Sequence, residues 1–266
     1  MNYPHRAGVP ARSATPNRMP TQRWTARKPV HAVNPQPKRP QRRYEALSLL
    51  DDGSFVEMSR QGPAHPIFEG AFAALARGTL LATEEGPVAI EDMLPGMKVE
   101  TRDAGFQAVQ WVGTITLIPP HSAGQPPVRL FRIPVDSFGP SRPMPDLMLA
   151  PHARLLHRSP KLQGIVGDEA ALTPIVAFED GQTVIRVGPV SAVSVYHIAF
   201  RDHHILRANG LEIESYHPGE DLFARLGGEN LKLFQSMFPH LTSLTDFGPL
   251  CAPRVSVEEF AEVNAM

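Results

Sequence analysis

The sequence predicts a mostly β domain with a small helical extension at its C-terminal end and a disordered arm at its N-terminal end. Three observations carry this. Between residues 73 and 219, short runs rich in Val, Ile, Leu and Thr alternate with Gly- and Pro-containing breaks, the pattern of many short strands. From 220 to 241 the apolar spacing changes, and Leu222, Leu226, Leu231, Phe234, Phe238 and Leu241 fall where a helix would gather them on one side. Residues 1–43 hold eight prolines, few large apolar groups and no periodicity, so they cannot bury enough surface to offset the entropy of ordering the chain.

Taken in order, residues 44–72 form a short β lead-in. Leu47, Leu49 and Phe55 flank Asp51-Asp52-Gly53-Ser54, which is turn chemistry and predicts a hairpin. A Gly-Pro turn at 62–63 then leads toward the domain. Gly78 to Thr83 is a short apolar run closed by the turn Glu84-Glu85-Gly86-Pro87. Val88 to Ile90, Lys98 to Thr101 and the alternating Ala108 to Leu117 are strands, and 119–127 is a Pro/Gly loop. Val128 to Ile133, Leu147 to Leu149 and Leu155-Leu156 follow, then a short helix within 158–172. Thr183 to Val187, Val193 to Phe200 and His204 to Ala208 are strands, and Asn209-Gly210 is a tight-turn signal into Leu211 to Tyr216. The helical region 220–241 is interrupted by Gly227-Gly228, and Ser256 with Glu259 forms a capping box for a last helix over 257–264.

Composition narrows the function classes. One cysteine, Cys251, excludes an intramolecular disulfide framework and a thiolate zinc cage; its default role is a buried structural thiol. No run of about 18 apolar residues exists to span a membrane. The N-terminal residues lack the apolar stretch of a Sec-type signal, so the expected location is cytoplasmic, or outside by another route. The net charge of −1 conceals a segregation. Residues 1–43 carry ten basic residues and no acid, leaving 16 basic and 27 acidic residues in the remainder, a balance of −11. Such an arm can fold back on its own body or reach for a polyanion, nucleic acid or an anionic membrane.

Residues 74–101 contain Gly78-Thr79, Thr83, Ile90-Glu91-Asp92, Leu94-Pro95-Gly96, Val99 and Thr101. This stretch resembles the opening of Hint domains, the self-cleaving module of hedgehog proteins and inteins, whose pattern is roughly Cys-Phe-x-x-Gly-Thr followed by Ile-Glu-Asp-Leu-x-Pro-Gly. Residues 147–156 resemble a second block, an apolar run before Thr-x-x-His or Ser-Pro-x-His. Residues 196–216 resemble the closing hairpin, His-x-x-Leu-x-Ala-x-Gly-Leu-x-x-Glu-Ser. The resemblance is closest to bacterial stand-alone members, and it implies a Hint-like β fold over 73–219.

The same resemblance implies a chemistry. A Cys or Ser attacks the carbonyl of the residue before it, a Thr/Ser–His pair protonates the leaving amide, and a second nucleophile resolves the ester. Carried over residue by residue, the nucleophile position is Ala74, the hydroxyl position Ala150 and the histidine position Ala153. A methyl group cannot attack a carbonyl, so the covalent route is lost. The fallback candidates are Thr79, whose place in the Gly-Thr turn favours a structural role, and His152, one residue early and so on the opposite face of a strand. The three alanines are expected to converge around a shallow pocket, with His152 turned away as a solvent-facing or loop residue.

Other groupings carry less. His203-His204 point to opposite faces if they lie on a strand, and with His197 and His217 they lack a carboxylate or thiolate partner at ligand spacing, so no metal and no cofactor is expected. Asp202, His203 and Ser215 could be drawn as a triad, without a nucleophile elbow to support it. The expected function is a Hint domain without self-cleavage, serving as a binding or scaffold module for an unidentified protein partner. The alternatives are autoprocessing through unconventional residues, and polyanion or nucleic-acid binding through residues 1–43.

Overall fold

A computed structural model of the chain describes residues 40–120 and 127–265. Residues 1–39, most of the expected 1–43 arm, residues 121–126, within the expected 119–127 loop, and Met266 lie outside these described residues. The architecture is two antiparallel sheets, mostly β, with short helices packed against them.

A hairpin opens the body. β1 (Gln41–Leu49) and β2 (Phe55–Pro63) pair along their whole length, from Gln41 opposite Pro63 to Leu49 opposite Phe55. The connection uses the Asp51–Ser54 chemistry: Asp52 Oδ1 accepts from the Ser54 N–H at 2.9 Å, and Gly53 takes φ 82°. An arm boundary at 43 therefore falls inside a strand. Arg42 and Arg43 belong to β1, and Arg42 Nε donates to Glu69 Oε1 at 2.6 Å. β2 also runs through the Gly62-Pro63 pair expected to turn. α1 (Pro66–Phe72) follows, a helix inside the segment 44–72 expected as a β lead-in. Proline at its first position and the His65 imidazole, which accepts from the Ile67 N–H at 3.2 Å, start it.

The next strands are short: β3 (Leu75–Ala76), β4 (Leu80–Thr83), β5 (Gly86–Ala89), β6 (Lys98–Thr101), β7 (Gly105–Ala108), β8 (Trp111–Leu117), β9 (Leu130–Ile133) and β10 (Leu147–Leu149). Then come β11 (Arg154–Arg158), α2 (Gln163–Val166), β12 (Ala170–Pro174), β13 (Ile185–Val187), β14 (Val193–Ala199), β15 (Ile205–Ala208) and β16 (Leu211–Glu214). One sheet runs β13-β9-β10-β3-β14-β8-β1-β2; the other runs β12-β11-β16-β15-β4-β6-β7, with β5 beside β4. The Asn209-Gly210 turn has φ of 46° and 83°, the two positive values a tight hairpin turn needs. Its side chain does more than turn the chain. Asn209 Oδ1 accepts from the Leu80 N–H at 2.7 Å, and Nδ2 donates to the Pro145 and Asp146 carbonyls.

The helical region is more broken than its periodicity suggests. It yields α3 (Leu222–Arg225) and α4 (Gly228–Gln235), separated at Leu226-Gly227, and a 3-10 turn at Leu244–Phe247. α5 (Val257–Ala265) starts with the Ser256–Glu259 capping box: Glu259 N–H donates to Ser256 Oγ at 3.1 Å, and Ser256 N–H to Glu259 Oε2 at 2.7 Å. No helix among the described residues is long and apolar enough to cross a membrane.

Two large cores result. One is aromatic and joins the segments before 73 and after 219 to the domain between them: Tyr44, Phe68, Phe72, Trp111, Tyr216, Phe234, Phe238 and Phe247 pack together. Phe68 meets Phe234 edge-on at 5.3 Å, and the Trp111 indole N–H donates to the Met237 carbonyl at 3.0 Å. The other core is aliphatic, lies between the sheets, and includes Leu75, Leu81, Ile90, Val99, Leu149, Leu206 and Ile213.

Candidate functional site

The motif residues of the first block are largely architectural. Glu91 Oε2 accepts from the Gly78 N–H at 2.8 Å, pinning the Gly-Thr turn, where Gly78 has φ 86°. Thr79 Oγ donates to the Ala76 carbonyl at 2.7 Å and is 2% exposed, so its hydroxyl is spent on its own turn. Gly96, at φ 92°, donates to the Val109 carbonyl.

Ala74, Ala150 and Ala153 are brought together along the backbone. Ala74 N–H donates to the Tyr196 carbonyl at 2.9 Å, Ala150 N–H to the Ala74 carbonyl at 2.8 Å, and Ala153 N–H to the Ala150 carbonyl at 3.1 Å. None is more than 1% exposed. Among the described residues their methyl groups are packed away from solvent. Ala150 packs into the aromatic core, whereas Ala74 and Ala153 pack into the aliphatic one, so the expected shallow hollow is filled by the two cores themselves.

A cavity lies beside them, on the α1 side, and holds about 290 Å³. His152 lines it. Its imidazole lies against α1, where a Cβ on Gly70 would sit 3.4 Å from His152 Nδ1. His152 sits in the turn after β10, the loop placement that was one of the two expected for it, half-buried under α1; burial lowers its pKa, with Arg154 adding to that and Glu69 opposing it. His197, from β14, uses Nδ1 to donate to the Gly70 carbonyl at 3.1 Å, while Nε2 is buried and has no hydrogen-bond partner among the described residues. Burial pushes this imidazole down to about 4, against the pull of the Gly70 carbonyl and Glu214, so it is neutral at physiological pH.

Beneath the cavity lies a buried charge cluster. Glu214, at the end of β16, is 5% exposed. Arg254 Nε donates to its Oε1 at 2.7 Å, Arg154 Nε lies 3.7 Å from Oε2, and His203 Nε2 lies 3.2 Å from Oε1. Burial alone would raise this carboxyl, but Arg254, His203 and Arg154 outweigh it and bring it down to about 2. Arg254 Nη2 also donates to the His217 carbonyl at 2.7 Å. The His217 ring accepts at Nδ1 from the Gly219 N–H and donates from Nε2 to the Gly248 carbonyl, and burial holds it down to about 4.

His203 and His204 do point apart. His203 Nδ1 accepts from the Cys251 N–H at 3.0 Å, while His204 Nδ1 lies 2.7 Å from Asp103 Oδ2 on the other side. Ser215 Oγ accepts from the His204 N–H and the residue is fully buried. Among the described residues no three His, Cys, Asp or Glu side chains converge as a metal site. Cys251 is exposed, not buried. Local desolvation and the Asp103 and Glu214 carboxylates push its thiol up to about 12, so it stays protonated.

A family model for the Hint domain matches residues 73–220, more than half of the chain. The chain belongs to the Hint domain family. Solved structures similar to this Hint protein include a splice-inactive variant of the AceL NrdHF class 3 split intein, 10% identical over 54% of this chain and 97% of that one, with a TM-score of 0.37. A bacterial intein-like domain from Clostridium thermocellum is 16% identical over 54% of this chain and 99% of that one, with a TM-score of 0.33. No curated protein sequence matches the chain.

The Arg154–Glu214–Arg254 cluster of this Hint protein was missed by sequence reasoning. Its members lie 40 and 60 positions apart, and no local spacing links them. Arg154 and Glu214 stand inside the second and third blocks, which was the available signal; Arg254 lies outside the Hint match.

Proposed function

We propose that this Hint domain does not cleave or splice its own chain and serves as a binding or scaffold module. The observation that carries the reading is that Ala74, Ala150 and Ala153, at the positions the resemblance assigns to nucleophile, hydroxyl and histidine, are buried and bonded to one another through the backbone. Neither Thr79, whose hydroxyl donates within its own turn, nor Ser215, which is fully buried, offers an accessible hydroxyl in their place. Packing supports the same reading. The segment upstream of Ala74 is woven into the body: β1 pairs with β8, and Tyr44, Phe68 and Phe72 are fully buried. A processing domain releases what precedes its nucleophile, and here that segment contributes core. The test is the intact mass of the purified 29.2 kDa chain after prolonged incubation with dithiothreitol and, separately, with hydroxylamine. A single unchanged species is expected; a fragment beginning at Ala74 would overturn the proposal.

A second reading concerns residues 1–43 and is supported by their charge segregation: ten basic residues and no acid. They give the chain a salt-sensitive, weakly sequence-dependent attraction to polyanions, because each neutralised phosphate releases counterions. Titrating the full chain and a chain starting at Pro40 with DNA and with anionic vesicles, at low and near-physiological salt, tests this. Binding is expected for the full chain only; equal binding by both chains rejects it.

A further inference from the structure

The cavity between α1, α3 and the Glu214 cluster has the charge distribution of a ligand site. Glu214 is 5% exposed, whereas the Arg154 and Arg254 side chains keep 26% and 21% of their surface. Glu214 lines the cavity too, but its oxygens are engaged by Arg254, His203 and Arg154, so the guanidiniums leave the lining net positive. Arg154 places Nη1 on the Leu172 and Val255 carbonyls, and Arg254 places Nη2 on the His217 carbonyl. Arg154 Nη2 and Arg254 Nη1 have no hydrogen-bond partner among the described residues. A third cation, Arg225 on α3, lines the same space, 53% exposed and 3.6 Å from Asp221, a surface pair that holds it weakly.

The neutral groups fit the same occupant. The Tyr216 ring is stacked on Phe238, and its hydroxyl has no hydrogen-bond partner among the described residues. Burial raises its pKa, so it remains a donor. Ile67, Pro151 and Leu222 supply apolar wall. At about 290 Å³ the space is at the small end of ligand pockets.

We propose that this cavity binds a small amphipathic carboxylate, its anionic head against Arg154, Arg254 and Tyr216 and its apolar body against the α1 and α3 side. A carboxylate matches the planar fork of a guanidinium with two parallel hydrogen bonds, and an apolar body uses the remaining wall. The carboxylate can belong to a free acid or to a peptide C-terminus; the chemistry at the head is the same. The proposal does not depend on whether the chain processes itself.

The experiment titrates the full chain at low salt with N-acetyl-leucine, with 4-methylpentanoate and with N-acetyl-leucinamide, read by amide chemical shifts. Saturable binding of an acid but not of the amide is expected, with shifts centred on Tyr216, Arg225 and Arg254. Tighter binding of N-acetyl-leucine than of 4-methylpentanoate identifies a peptide terminus as the source; the reverse identifies a free acid. Arg225→Glu should weaken acid binding about tenfold, the loss expected from replacing an attractive charge by a repulsive one. Tyr216→Phe should weaken it several-fold, both variants melting as the parent does. Equal affinity for acid and amide, no saturable binding of either acid, or binding indifferent to both substitutions overturns the proposal. Intact mass measured on the same sample reads self-cleavage separately.

Discussion

Gly113 shows how little room the aromatic core leaves. A Cβ there would sit 2.1 Å from Trp111 Cη2 and 2.7 Å from Phe72 Cδ1, so the indole lies directly over the backbone of its own strand. Gly113→Ala must displace a ring that is packed on every side, and overpacking of this kind costs about 1–3 kcal/mol or more. A fall in the thermal midpoint with loss of near-UV circular dichroism is expected; an unchanged melt would mean the ring moves freely. Glu214 is the corresponding charged residue. Glu214→Gln leaves two guanidiniums without their counter-charge, and breaking a buried pair from one side costs about 3–5 kcal/mol. Chemical denaturation at pH 7 measures it. Neither role is visible in composition. Gly113 sits in a Val-Gly-Thr strand sequence that offers no sign of an overlying ring, and Glu214 belongs to a Glu-Ser pair whose partner Arg254 is 40 residues away.

The elements divide by the range of the signal that specifies them. Turns and caps are set by neighbours, and they were legible: Asp51–Ser54, Asn209-Gly210 and Ser256 with Glu259 all make the bonds their residue types favour. Most short strands within the Hint match were legible to within a few residues, because β-branched runs between Gly and Pro leave few choices, but β3, β7 and β12 were not. α1 was not. Its seven residues are too few for periodicity, and Phe68 and Phe72 become core only because β1, β8 and α4 close around them. The two alanine-filled cores are equally non-local, since which core each methyl enters is decided by sheet pairing. One prediction belongs here. A chain cut between Ala73 and Ala74 should stay together, because Tyr44, Phe68 and Phe72 hold the upstream piece in the aromatic core. Co-expressed 40–73 and 74–266 fragments should co-elute on size exclusion, while 74–266 alone should aggregate or bind hydrophobic dye.

For the molecule as a whole, buried histidines set the response to acid. His197 and His217 have ordinary values of 6.5 and are held down to about 4 in the fold. A depressed value means that the unfolded chain takes up protons first. Their contribution is therefore fully present above pH 6.5 and is lost as the pH falls toward 4. For His197 alone the shift amounts to about 3 kcal/mol at its full extent. Glu214, lowered from 4.5 to about 2, extends the loss below pH 4.5 by the same sign. Denaturation curves at pH 7.5, 6, 5 and 4 should show stability declining steadily; a flat profile would mean that these imidazoles are not buried in solution. His197→Gln should flatten the upper part of that decline.

Trp111 has an optical consequence. The sequence holds two tryptophans, Trp24 and Trp111. With Trp24 replaced by phenylalanine, all indole emission would come from a single ring that touches Phe72 of α1 and Phe238 just after α4, and that bonds the Met237 carbonyl. The native protein would then carry a blue-shifted chromophore at the point where its two ends meet the sheet. Detachment of either end would shift the emission to the red. Assembly of the N-terminal and C-terminal segments can thus be timed in a stopped-flow refolding trace with no added dye.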